Sequence, residues 1–282
     1  MQQSRAELVA SLEQLAKDIR LDVVKALYQT GGYHLGPSFS IVETLLALYY
    51  YKMRVNPQNP KWADRDVLIL SKGHGSAGLY SVLARKGYFP REELWTMKTF
   101  GSRLQGHPDM LRTPGVELTT GSLGNGLSAG QGYALAARMD GRPTRVYVII
   151  GDGEADEGLI WEASMSIPKF KLDNLCCILD YNKFQSSGAS TGCIMPTLSP
   201  IADKWRAFGW NVLEARGHDI GCLMDALDEA EKYEGKPTFI IADTVKGKGL
   251  SFTEGDNRWH IGTLTEAEYH QALRELGAEA AQ

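Results

Sequence analysis

Apolar residues near the start of the chain recur at steps of three and four: Leu8, Leu12, Leu15, Ile19, Val23 and Leu27. That spacing lines one face of a helix over 4–29, and Thr30-Gly31-Gly32 ends it. A second helix is predicted from Ser40 to about Met53, with Ser40 as its cap and Glu43 completing a capping box. Pro57 and Pro60 mark a loop. Val67–Leu70 is wholly apolar and reads as a buried strand, after which Gly73 to Gly75 turn into a helix from Ala77 to Lys86. From Phe100 to Gly126 the chain is rich in Gly, Pro, Thr and Ser and has no periodicity. So long a stretch without elements is uncommon unless it is functional.

Strands and helices then alternate. Helices are predicted over Ser128–Met139, Leu159–Phe170, Ile201–Phe208, Gly221–Lys232 and Thr265–Leu276, the last opening on a Thr265–Glu268 capping box. Strands are predicted over Val146–Ile150, Leu175–Leu179, Trp210–Glu214 and Thr238–Asp243. Small residues in the helix from Ser128 point to close packing against a neighbour. Alternation with fully apolar strands predicts an α/β fold: a doubly wound, mostly parallel sheet with helices on both faces.

Composition changes this picture little. The 282 residues approach the limit of one hydrophobic core, so a single domain over 1–282 with N- and C-terminal helical extensions is expected. Hydrophobic residues make up 43% and charged residues 23%, ordinary for a soluble globular protein. A net charge of -4 carries no nucleic-acid footprint. No apolar run is long enough to span a membrane, and the N-terminus lacks the apolar core of a signal peptide, so a cytoplasmic protein is expected. The cysteines Cys176, Cys177, Cys193 and Cys222 have no metal-ligand spacing. Cys176 and Cys177 would face opposite sides of a strand, and buried, reduced thiols are expected.

Ligands of open α/β sheets bind outside the carboxyl ends of strands. Two polar clusters fall at such ends: Gly151-Asp152-Gly153-Glu154-Ala155-Asp156-Glu157-Gly158 and Asp180-Tyr181-Asn182-Lys183-Phe184. If their strands are neighbours, a carboxylate, an amide oxygen and a backbone carbonyl converge as hard ligands suited to magnesium. Gly-Asp-Gly alone is more often a strand-ending turn; Asn182 at the end of another buried strand changes that reading. Glu154 and Asp156 read as a solvated helix start. Lys246, Lys248 and Arg103 either meet phosphate or solvate their loops. His34, His74, His107 and His260 all lie beside glycine or proline loops, which favours a shared cleft. His218 reads as a surface turn and His270 as solvated. The six tryptophans read as packing and interface residues, with Trp259 placed to shape a cleft mouth.

Gly151-Asp152-Gly153 followed some thirty residues later by Asn182 resembles the thiamine diphosphate motif. Tyr33-His34-Leu35-Gly36-Pro37, Leu70-Ser71-Lys72-Gly73-His74-Gly75, Gly106-His107-Pro108, Thr119 to Gly126, Val245 to Gly249 and Trp259-His260 resemble segments of the transketolase family. The resemblance runs in order over nearly the whole chain and covers the family's N-terminal, diphosphate-binding half. It implies the thiamine diphosphate-binding fold and a transferase that moves a two-carbon ketol unit from a ketose phosphate to an aldose phosphate.

By the same resemblance, Asp152, Asn182 and the carbonyl of Phe184 are ligands of Mg2+, or of Ca2+ or Mn2+. His74, Gly121, Ser122, Leu123, Gly151, Gly153, Glu154, Lys246 and His260 lie at the cofactor, with Leu123 holding the aminopyrimidine by backbone contacts. His34, His74, His107 and His260 serve catalysis or line the substrate channel, where imidazole suits proton movement on sugar hydroxyls. Glu157 is a carboxylate at a subunit interface that links two active sites. The implied partner is a C-terminal subunit carrying the pyrimidine-binding domain, in an α2β2 heterotetramer, with little activity in this chain alone. Alternatives are a 2-oxo-acid dehydrogenase component, a deoxyxylulose phosphate synthase, a transketolase for a branched or sulfonated ketose, or a cofactor-binding protein without catalysis. Tyr33 stands where the family usually has glycine, which puts the donor sugar in question.

Overall fold

The computed structural model describes residues 3–186 and 191–278. Five strands form one sheet in the order β1-β2-β3-β5-β4, and every pairing is parallel. They are β1 (Val67–Leu70), β2 (Val146–Gly151), β3 (Leu175–Tyr181), β4 (Asn211–Arg216) and β5 (Thr238–Asp243). The predicted α/β class and mostly parallel sheet are therefore what the chain forms.

Side chains of a strand alternate between faces, and the sheet is buried on both. Leu68, Leu70, Tyr147, Ile149, Cys176 and Ile178 pack on one side with α1 (Arg5–Gln29), α2 (Leu35–Phe39), α3 (Val42–Leu46), α4 (Ser76–Lys86), α9 (Ile220–Ala230) and α10 (Glu266–Glu275). Val67, Ile69, Val148, Ile150, Cys177 and Leu179 pack on the other with α5 (Asn125–Met139), α6 (Gly158–Lys169) and α8 (Ile201–Ala207). A single turn, α7 (Thr191–Ile194), follows the second polar cluster. Cys176 and Cys177 do face opposite ways and are buried, but Cys193 is exposed and Cys222 half-buried, so the expectation of four buried thiols is corrected. Among the described residues no helix is long and apolar enough to cross a membrane.

Both terminal helices begin as capping boxes. Ser4 Oγ accepts from Glu7 N–H while Glu7 accepts from Ser4 N–H, and Thr265 and Glu268 do the same. The stacked rings of Tyr28 and Tyr269, 4.0 Å apart, fix α10 against α1.

The helix predicted from Ser40 to Met53 is corrected. The chain instead makes α2, breaks at Ser40–Ile41, resumes as α3 and finishes in a π-helical segment, Ala47–Lys52. Ser40 ends α2 and is no N-cap: its hydroxyl donates to Asp180 Oδ2 at 2.7 Å, and Glu43 pairs with Arg20. These long-range polar partners override the local capping pattern. Of the tryptophans, Trp205 is wholly buried, stacked on Phe239 at 3.7 Å and edge-on to Trp210 at 4.7 Å. Trp205→Ala is expected to cost ~3–5 kcal/mol, the range for truncating a large buried aromatic, read as a lower urea midpoint.

Candidate active site

The cleft opens at the carboxyl ends of β1, β2, β3 and β5. It holds about 630 Å3 and is lined by both predicted clusters and by all four loop histidines. At its floor Lys72, just past β1, is ion-paired with Asp180 of β3, and both are almost fully buried. Lys72 Nζ also donates to the carbonyl of Pro37 at 3.1 Å. Asp180 takes further hydrogen bonds from Ser40, Thr244 and Asn182. Burial pushes the Asp180 carboxyl up, but the charge of Lys72 and these bonds outweigh it and hold it below the usual range. Sequence reasoning missed Lys72; the signal was a lysine ending an apolar strand before Gly73-His74-Gly75.

Asp152 and Asn182 follow β2 and β3, which pair directly through Gly151 and Asp180. Asp152 accepts from Gly153 N–H at 2.9 Å, Lys183 N–H at 2.5 Å and Thr191 Oγ1 at 3.1 Å. Among the described residues no cationic side chain bonds it, and burial together with Asp180 pushes its carboxyl up to about 7. Asn182 donates through Nδ2 to Asp180, which fixes its amide oxygen as the acceptor, and Phe184 N–H donates to that oxygen at 3.1 Å. Among the described residues no three His, Cys, Asp or Glu side chains form a metal cage. Asp152, Asn182 and Phe184 all line the cleft, and a carboxylate, an amide oxygen and a backbone carbonyl are the ligand types that a hard cation would take.

Glu154 is corrected from a solvated position to a buried one. Its carboxylate accepts from Ser71 Oγ, from Gly124 N–H at 2.9 Å and from Gly151 N–H at 3.1 Å. It thereby ties the loop carrying Gly121, Ser122 and Leu123 to the ends of β1 and β2. Thr120 Oγ1 adds a bond to the Leu70 carbonyl at 2.7 Å. Asp156 is half-buried and accepts from Gln185. Glu157 is the N-cap of α6; its side chain makes no capping bond and stays exposed at the cleft rim.

The histidines form one cluster. Ring centroids of His34 lie 5.3 Å from His74, 5.2 Å from His260 and 6.0 Å from His107. Burial, followed by neighbouring cationic groups, lowers His34 to about 4 and His260 to about 3, and His74 and His107 are lowered as well. The rings are therefore neutral near pH 7. His34 Nδ1 is buried without a partner. Lys246, 1% exposed, bonds only neutral groups, Asn257 Oδ1 at 2.6 Å and His260 Nδ1 at 2.7 Å, and burial lowers it to about 8. Lys248 pairs with Glu254 and Arg103 with Glu93, both outside the cleft.

Tyr33 forms one wall. Its hydroxyl lies 3.2 Å from His107 Nδ1, and Lys98 Nζ sits 4.6 Å over its ring. The tyrosine comes so close to Gly106 that a Cβ there would meet its hydroxyl at 2.8 Å. Two expectations fail. Trp259 is a core residue, donating to the Phe252 carbonyl, and Ile261 lines the cleft in its stead. His218 lies in a turn as expected, but it is half-buried and not a surface residue: it bonds Glu43 and the Val245 amide. His270 is exposed as expected.

Comparison with known proteins matches residues 11–282 to the family described as "Transketolase, thiamine diphosphate binding domain". The chain is 47% identical over 276 residues to the 6-deoxy-6-sulfo-D-fructose transketolase subunit of a Clostridium species, covering 98% of this chain and 100% of that one. It is 41% identical to an apulose-4-phosphate transketolase subunit of Phocaeicola vulgatus, over 95% and 94% of the two chains. A crystal structure of transketolase from Pichia stipitis matches with a TM-score of 0.90 at 32% identity, over 96% of this chain but 41% of that one. The chain thus spans about two fifths of that enzyme's length.

Two outcomes are expected. Lys72→Met strands a buried carboxylate and should cost ~3–5 kcal/mol in urea unfolding, with Asp180→Asn added to the same chain recovering part of the loss. The second concerns acid. The histidines' folded values lie below the ordinary 6.5, so their contribution is complete above that pH and declines as pH falls toward their lowered values, about 4 for His34. Asp180, also lowered, adds a loss in the same direction at still lower pH. Asp152, raised to about 7, acts with the opposite sign over the same window, so a midpoint change between about pH 7 and about pH 5 that is the same in His34→Asn as in the parent chain would contradict the histidine part.

Proposed function

We propose that this chain, which belongs to the transketolase family, is the thiamine diphosphate-binding subunit of a two-component ketol transferase. Its partner is a C-terminal subunit carrying the pyrimidine-binding domain, and the assembly is an α2β2 heterotetramer in the cytoplasm. The observation that carries the reading is the convergence of Asp152 and Asn182 on one side of a single cleft with four neutral histidines on the other. In this reading residues 1–282 form one diphosphate-binding domain.

Asp152, Asn182 and the Phe184 carbonyl would hold Mg2+, which would supply positive charge to a diphosphate. Lys246 has only neutral partners, so its charge is available to an anionic group. Gly121, Ser122, Leu123, Gly151, Gly153 and Glu154 shape the cofactor's bed, Glu154 by holding the loop rather than by direct contact. When bound, the cofactor supplies the carbanion that carries the two-carbon unit. Neutral His34, His74, His107 and His260 present ring nitrogens to sugar oxygens and move protons there, with Nδ1 of His107 and of His260 already bonded to Tyr33 and Lys246. The bond from Lys246 to His260 Nδ1 puts that ring's hydrogen on Nε2. Exposed Glu157 at the rim is assigned to the contact with a second subunit.

The donor is a ketose, and the relatives named for sulfofructose and apulose phosphate support testing such sugars first. Tyr33, bonded to His107, narrows the cleft where the donor enters.

Calorimetry with thiamine diphosphate and Mg2+ should show binding, and Asp152→Asn should weaken it by about tenfold or more, since even supports of metal ligands carry roughly 10–100-fold. Ketol transfer should appear on adding the partner subunit. Brisk turnover by this chain alone would sink the two-component reading.

A further inference from the structure

Behind the cleft, on the face covered by α1, lies a buried polar chain that the proposed chemistry does not use. Arg20 of α1 pairs with Glu43 of α3 at 2.8 Å, each with a side chain less than a tenth exposed. Glu43 Oε2 lies 2.9 Å from His218 Nδ1. His218, in the turn between β4 and α9, accepts from Val245 N–H through Nε2 at 2.8 Å. Because Nε2 accepts, the ring hydrogen sits on Nδ1 and is donated to Glu43. Burial pushes the Glu43 carboxyl up, but Arg20 and His218 outweigh it and hold it at about 2, so it stays an anion.

Both ends of this chain grip the turn Val245–Lys248. His218 holds the amide at its start, and Arg20 Nε donates to the Lys248 carbonyl at its end, at 2.6 Å. Arg20 also donates to the carbonyl of Phe39, where α2 ends. Gly249, at φ +109°, lets the guanidinium approach: a Cβ there would meet Arg20 Cδ at 2.6 Å. The gripped turn carries Lys246 into the cleft against His260, and α2 carries His34 at its N-cap. Two segments bearing cleft residues, the turn and α2, are thus referred to one buried ion pair.

We infer that Arg20, Glu43 and His218 are positioning residues, which act through the Val245–Lys248 turn to hold Lys246 and His260 in register with His34. None of the three lines the cleft. Their polar bonds go to backbone and to one another on its far side, with the Arg20 guanidinium also over the Phe39 ring, so their effect reaches the reaction through geometry. A carboxylate that orients an imidazole, which in turn fixes a functional group, is the support that preorganised sites require.

The test compares His218→Ala with His218→Gln, whose amide oxygen can still accept from Val245 N–H. Amide exchange is measured on each chain, and ketol transfer on the chain reconstituted with its partner. The inference rests on the transketolase reading for the second measurement only. His218→Ala should speed exchange at Val245 to Lys248 while β1 to β3 stay protected. It should lower kcat/KM about tenfold, the size of one hydrogen bond's worth of misplacement, chiefly through KM for the ketose, and His218→Gln should restore most of it. Unchanged exchange and kinetics in His218→Ala would overturn the inference. So would accelerated exchange throughout the sheet with equal losses in both variants, which marks a merely structural residue. A wild-type complex without ketol transfer would refute the functional reading instead, leaving local exchange to decide the positioning role.

Discussion

Two full charges, the ammonium of Lys72 and the carboxylate of Asp180, lie almost out of reach of water where four chain segments meet. Removing such charges from water costs several kcal/mol each, and only close pairing with further hydrogen bonds offsets it. The fold supplies those bonds from Pro37 and Ser40 beside α2, from Thr244 after β5 and from Asn182 after β3. The arrangement holds only if the carboxyl ends of β1, β3 and β5 and the end of α2 keep their mutual positions. The break between α2 and α3 places the Ser40 hydroxyl on Asp180, and the Asn182 amide is turned with its nitrogen on the same carboxylate.

Around that centre the cleft is organised by where charge is left uncompensated. Lys72 and Asp180 neutralise each other. Asp152 has no cation and Lys246 no anion. Packed imidazoles, shielded and near these lysines, stay neutral. A carboxylate lacking a cation and a lysine lacking an anion fit a metal–diphosphate pair, and neutral rings fit a polyhydroxylated substrate. Glu154 and the Arg20–Glu43–His218 chain are the rigid supports behind these groups, each spending its hydrogen bonds on backbone.

The elements were legible because their signals are local. Apolar runs such as Val67–Leu70 and Val146–Ile150 are strands buried on both faces, and Leu8 to Leu27 repeat at the helical period. Asp152 and Asn182 were legible because both end such strands. Errors fell where side chains find distant partners. Glu154 and His218 sit among polar neighbours in the sequence and read as solvated, yet their bonding partners lie up to 175 positions away. Ser40 and Glu43 match a capping box and serve a buried anion and a buried guanidinium instead.

By itself the sequence determined the α/β class, the strands and helices, the two strand-ending clusters and the four cleft histidines, since periodicity and glycine punctuation are written along the chain. Only the tertiary structure decided which polar groups are buried, that Lys72 belongs with Asp180, and that Tyr33 closes on His107. Burial and pairing depend on segments far apart in the chain meeting at one sheet edge, and no local pattern encodes the partner across that distance.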